Sequence, residues 1–134
     1  MAARYLLDSN ICIYAMKHRP PTLLRRLERS GPVAAMSVIV YGELWFGQQT
    51  SSNRDAAGAN LAALLESIEV LPLPADTGTH YGVIRASLKR DGTPIGTNDT
   101  WIAAHALAAD LTLVTNSERE FKRVAGLRVE DWTR

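Results

Sequence analysis

The strongest constraint on this chain is a repeated alternation. Short apolar runs fall at residues 4–8, 32–37, 69–73, 111–116 and 127–130. Between them lie longer stretches with helical periodicity. Residues 9–17 read as a helix that Ser9 or Asn10 can cap. Residues 19–31 carry Pro near the start, Leu23, Leu24 and Leu27 on one face, and Gly31 at the stop. Residues 38–49 read as a helix capped by Ser37, and 50–58 as a loop. A helix carrying Leu61, Leu64, Leu65 and Ile68 follows. Further helices are expected within 75–92, over 100–110 after a loop at 93–99, and over 117–124. Strands that alternate with helices pair in parallel, and strands apolar on both faces need helices above and below. The expected class is α/β, with a mainly parallel sheet of about five strands. At 134 residues, with no repeat or linker, one domain over 1–134 is expected.

In such a sheet, ligands gather beyond the carboxyl ends of the strands. Asp8 ends the first run, Ser37 the second, and Asn116-Ser117 the fourth. Glu43 shares a helix face with Ile39, Val40, Phe46 and Gly47, although amphipathic helices keep acids on the wet side. Asp99 opens an Ala-rich helix whose small residues suit close packing on the sheet. Each acid alone has a plainer reading: Asp8 and Asp99 as helix caps, Glu43 as a surface acid. Brought together they would repel, at on the order of 4 kcal/mol per pair at 4 Å and an effective dielectric of 20. A divalent cation resolves that conflict. Mg²⁺ takes oxygen ligands and keeps waters for a phosphate substrate.

Other chemistries find little support. Cys12 is the only cysteine, so no internal disulfide or CxxC pair exists, and it reads as core. A reducing, cytoplasmic setting is expected. No signal peptide and no run of roughly 20 apolar residues is seen, so no membrane partner is expected. His18, His80 and His105 lack zinc-ligand spacing. No GxSxG elbow or P-loop is present. Net charge is +1, so any basic patch is local. Trp45, Trp101 and Trp132 read chiefly as packing, although Trp45 and Trp101 flank Glu43 and Asp99 in sequence and admit a base- or partner-contact reading.

Four segments together resemble the PIN-domain family, and within it the VapC-type toxins of bacterial toxin–antitoxin pairs. They are YLLDSNICIY, SVIVYGELWFG, PIGTNDTWIAAHAL and LTLVTNSEREFKRVAGLRVEDW, and they span nearly the whole chain in order. The resemblance implies a small three-layer α/β/α domain and a Mg²⁺- or Mn²⁺-dependent endoribonuclease that leaves a 5′-phosphate and a 3′-hydroxyl. Asp8 and Asp99 match the family's metal-binding aspartates, and Glu43 its helix glutamate. Asn10 matches a polar residue that would orient Asp8. The family's fourth acid is absent, since Asn116-Ser117 stands in its place. Thr115, Asn116 or Ser117 would then hold a water by hydrogen bonds, and the number of metals stays open. Glu118 and Glu120 lie close in sequence, in a register expected to turn them away. The resemblance further implies an RNA substrate, a homodimer and a VapB-type antitoxin. The antitoxin's tail would lie between the ICIYAM and LLRRL helices. Arg85, Lys89 and Arg90, with Lys122 and Arg123, are candidates for phosphate contact, against a plainer reading as solvated charges.

Two other classes remain in view. One is a catalytically silent PIN-like module that binds RNA or protein. The other is a phosphotransfer domain, disfavoured because Asp8-Ser9-Asn10 lacks the second acid such domains need.

Overall fold

The first strand, β1, is Tyr5–Leu7, and Leu6 and Leu7 are both fully buried. Successive strand side chains point to opposite faces, so both faces of the sheet are covered there. The same holds for Ala35 and Met36 of β2 (Ala34–Ser37) and Leu113 and Val114 of β4 (Thr112–Val114). Two short strands complete the sheet, β3 (Glu69–Leu71) and β5 (Val129–Glu130). The order is β3-β2-β1-β4-β5 and every pairing is parallel. This is a computed structural model and it describes residues 2–134.

The helices follow from their caps. Asp8 accepts from the Ile11 N–H and starts α1 (Ser9–Ile13), so the cap is Asp8 rather than Ser9 or Asn10. The chain then widens into a π-helical turn over Tyr14–His18 and leaves it at Arg19 with φ 48°. A continuous helix to residue 17 was expected, so the register slip is a correction. Helix α2 is Pro21–Ser30 and stops with Gly31 as its C-cap, as expected, and a 3₁₀ turn over Gly31–Val33 follows. Helix α3 is Val38–Gln49, capped by the Ser37 hydroxyl, which accepts from the Ile39 N–H.

The stretch 50–58 is only partly a loop. Asn53 accepts from the Ala56 N–H and opens α4 (Arg54–Ser67). Helix α5 is Thr77–Arg90. Helix α6 is Thr97–Ala108, one turn longer at its start than the sequence pattern indicates. Its exposed first turn is polar and looks loop-like, yet the Gly96 carbonyl accepts from the Thr100 N–H at 2.9 Å. A short α7 (Glu118–Phe121) precedes β5. The strands are each shorter than the apolar runs containing them, because flanking residues such as Asp8 and Thr115 serve caps and turns. The core is built from Leu6, Ile11, Met36, Val40, Ile102 and Leu113 among others, all fully buried.

Candidate active site

Parallel pairing sets the ends of β1 and β4 side by side, with Leu7 opposite Val114. The next residues, Asp8 and Thr115, therefore meet. The Asp8 N–H donates to the Val114 carbonyl at 3.0 Å. Its Oδ1 accepts from the Ile11 N–H at 2.9 Å, and its Oδ2 accepts from the Thr115 hydroxyl. Thr115 Oγ1 in turn accepts from the Ser117 N–H at 2.9 Å. The Asp8 carboxylate is thus clamped on both oxygens while only 4% exposed. The orienting role expected of Asn10 falls to Thr115, since Asn10 is exposed and makes no hydrogen bond to Asp8.

Burial pushes the Asp8 carboxyl up to about 6; the Thr115 and Ile11 donors pull it down, and the charges of Asp99 and Glu43 push it up again. Asp99 sits in the first turn of α6, half-buried. Its carboxyl is raised by burial, then by Glu43, then by Glu120. Glu43, on α3, accepts from the Ser9 hydroxyl at 2.7 Å. The three acids read from the sequence therefore stand on three separate elements and within one another's field. Glu120 joins them, although its register was expected to turn it away. It lies one turn past the Asn116-Ser117 position where the family's fourth acid is missing.

Coulombic coupling reaches further than coordination does. Among the described residues, no three Asp, Glu, His or Cys side chains stand close enough to form a finished ligand set. The donor chemistry nevertheless suits a hard divalent cation. Every candidate is an oxygen, and the Asn116 Oδ1 atom, one residue past Thr115, is buried with no hydrogen-bond partner. An orphaned buried acceptor beside clustered carboxylates is an arrangement that a cation or its water would satisfy.

The surroundings of the acids are concave. A groove of about 730 Å³ is lined by Ser9, Asn10, Glu43, Phe46 and Asn98. It shares Ile13, Glu43 and Leu44 with a hollow of about 170 Å³. That hollow shares Met16 and Asn60 with a third, of about 410 Å³, between Ala15, Leu24, Leu27 and the α4 residues Leu64 and Ser67. The three hollows thus adjoin one another from Glu43 to α2, with α4 as a wall that the sequence did not indicate.

Of the cationic candidates, Arg85 and Lys89 border a hollow of about 260 Å³ with Pro94, Ile95 and Thr97, at the entrance to α6. Arg90 lies outside it. Arg123 donates to the Pro94 carbonyl at 3.3 Å, and Lys122 pairs with Glu118 at 3.0 Å. Trp101 lies flat on Tyr81, with centroids 3.9 Å apart, so its ring is committed to packing. Trp132 is buried; Trp45 is 39% exposed. Cys12 is fully buried and its thiol is pushed up by burial, which suits a core residue. His105, which lacks zinc-ligand spacing, is fully buried and takes a linking role. Its Nδ1 lies 2.9 Å from the Ser37 hydroxyl, linking the α6 that carries Asp99 to the cap of the α3 that carries Glu43.

A parallel sheet with acids gathered at the carboxyl end of its central strand defines an α/β domain with an acidic site at that edge. The family model for the PIN domain matches residues 5–127, and the chain belongs to that family. Along nearly its whole length it is similar to VapC proteins. It is 38% identical to the tRNA(fMet)-specific endonuclease VapC of Shigella flexneri over 130 residues, covering 97% of this chain and 98% of that one. It is 39% identical to ribonuclease VapC1 of Haemophilus influenzae over 132 residues, covering 97% and 98%. Among solved structures it resembles VapBC2 from Rickettsia felis bound to a promoter DNA fragment, with a TM-score of 0.91, 36% identity and coverage of 98% and 99%. It also resembles VapBC-1 from nontypeable Haemophilus influenzae, with a TM-score of 0.89, 39% identity and full coverage of both chains. PIN-domain ribonucleases are metal-dependent in general. No helix among the described residues is long and apolar enough to cross a membrane.

Proposed function

We propose that this chain is a metal-dependent endoribonuclease, the toxin of a VapBC-type pair, built as one PIN domain over 1–134 and working in the cytoplasm. The observation that carries the proposal is the buried Asp8 carboxylate, clamped by Ile11 and Thr115 and set in the field of Asp99 and Glu43. The names of the VapC relatives support the same reading.

Asp8 and Asp99 would hold Mg²⁺ or Mn²⁺, with Glu43 completing the acidic cluster. When bound, such an ion stabilises negative charge on the phosphate and makes water a better nucleophile. The chain's own contribution is positional. Ile11 and Thr115 fix Asp8 and hold its proton affinity down. Ser9 fixes Glu43. The Asn116 oxygen and the Ser117 turn border the same edge and suit holding a water. Arg85 and Lys89 offer charge to the RNA backbone, with Arg90 further out. Single-stranded or looped RNA suits a groove of this kind, because its bases can splay out.

The adjoining hollows from Glu43 to α2 would receive the tail of a VapB-type antitoxin, and apolar side chains such as Met16, Leu24 and Leu27 suit that contact. A homodimer is part of the proposal. Phe46 and Val83, 70% and 64% exposed, offer apolar area for it.

A second reading, a silent RNA- or protein-binding module, is favoured by the missing fourth acid and the unfinished ligand set. The deciding experiment compares the purified chain with Asp99→Asn on a mixture of single-stranded and structured RNAs, each with Mg²⁺, Mn²⁺ or chelator. Cleavage that needs metal and vanishes in the variant is expected. Equal cleavage by both proteins would remove the acids from the reaction. Metal binding without any cleavage would favour the silent module.

A further inference from the structure

A second polar hollow, of about 230 Å³, lies between α2 and the residues that follow β5. Thr22, Arg25, Arg26 and Arg29 of α2 line one side; Asp131, Trp132 and Arg134 line the other. It shares no residue with the acidic groove. The Arg26 guanidinium is held rigidly. It donates to Glu130 Oε1 at 3.2 Å and to Ser30 Oγ at 3.2 Å, and it lies 4.7 Å from the Trp132 ring centroid. Trp132 donates its Nε1–H to the same Glu130 oxygen at 3.0 Å. Arg134 lies 3.4 Å from Asp131, whose carboxylate also accepts from Thr133.

Glu130 and Asp131 therefore answer two of the four arginines. Arg25 and Arg29 form no ion pair among the described residues, and both are exposed. Two uncompensated guanidiniums beside one hollow exceed the net charge of the entire chain, which is +1. They stand one helical turn apart, with Cβ atoms about 5–6 Å from each other. That is comparable to the spacing of neighbouring phosphates in an extended strand. The planar guanidinium fork matches phosphate oxygens two at a time.

We infer that this hollow grips backbone phosphates of single-stranded RNA outside the acidic centre. The Tyr5 hydroxyl, at the start of β1, accepts from Arg26 at 3.5 Å. The inference rests on the proposed function only for naming RNA as the polyanion.

The test is equilibrium binding of a labelled single-stranded RNA across a salt series, in chelator so that no cleavage occurs. The full chain is compared with R25Q/R29Q and with R25K/R29K. The glutamine variant is expected to bind about tenfold more weakly at low salt, with the log–log salt slope reduced by about 1.4, the share of two phosphates on a single strand. The lysine variant keeps the charge and is expected to keep the slope. Both positions are exposed, so thermal unfolding is expected to match the parent in both variants. Parent-like affinity and slope in R25Q/R29Q would overturn the inference. So would a lysine variant whose salt slope falls like the glutamine one's, or a parent that binds no RNA. Absence of cleavage when metal is restored would count against the nuclease reading alone.

Discussion

Replacing Asp8 by Asn is expected to stabilise the metal-free fold at neutral pH. The Asp8 carboxyl is pushed from an ordinary 3.8 to about 6, with burial as the chief cause. Between those values the folded chain keeps a proton that the unfolded chain has released. Stability therefore falls as pH rises through the window, and the full penalty is present above about 6. A shift of this size corresponds to about 3 kcal/mol at pH 8. Asn caps a helix as well as Asp does, so α1 keeps its start. The shift already includes the Thr115 hydrogen bond to the charged carboxylate, so the gain is about 3 kcal/mol, or about 9 °C in Tm for a domain of this length. Thermal and urea unfolding in chelator at pH 8 and pH 4 would read it. The advantage of Asp8→Asn should shrink as pH drops below about 6 and vanish near pH 4. With Mg²⁺ at a hundred times its Kd, the parent should gain about 2.7 kcal/mol that the variant does not. A variant less stable than the parent at pH 8 without metal would refute the reasoning. So would a difference that ignores pH.

Two further outcomes follow from the same contacts. Thr115→Val removes a donor that pulls Asp8 down, so the Asp8 carboxyl should rise above its present position and the acid limb of the pH–rate profile for RNA cleavage should move to higher pH; an unmoved midpoint would show that this hydroxyl does not tune the site. Ser37→Ala removes the α3 cap and the ring partner of fully buried His105, whose Nε2 already lacks a partner, and should cost about 2–3 kcal/mol in urea unfolding, with a loss under about 1 kcal/mol counting against the link.

Helix α3 was legible to the residue because Ser37 marks its start and the apolar run ends cleanly. The parallel sheet was legible because both neighbours in each run, such as Leu6 and Leu7, are apolar, which only a doubly covered strand tolerates. The starts of α4 and α6 were not, because Asn53 and the Thr97-Asn98-Asp99 turn carry the polar composition of loops while making helical hydrogen bonds. The π-helical turn at Tyr14–His18 leaves no mark in a periodic pattern, since it inserts a register slip within an apolar run. Of the candidate site, the acids could be found as strand-end or misplaced carboxylates. Thr115's grip on Asp8 was less visible, because hydroxyls cap, turn and clamp with equal ease. The arginine hollow was invisible, since its parts lie 104 residues apart at Arg26 and Glu130 and no local spacing joins them.

The clamp on Asp8 joins residues 107 positions apart, through a central strand whose second neighbour, β4, is among the last elements of the chain. During synthesis, β1 is made first yet stays half-paired until Thr112–Val114 has emerged. Non-local parallel pairing of this kind forms late and slowly. A nascent chain thus carries Asp8 and Glu43 long before it can lock the first of them in place, and Asp99 emerges only shortly ahead of Thr115. If the product attacks RNA, the ribosome making it is shielded by topology for most of the time it takes to translate the message.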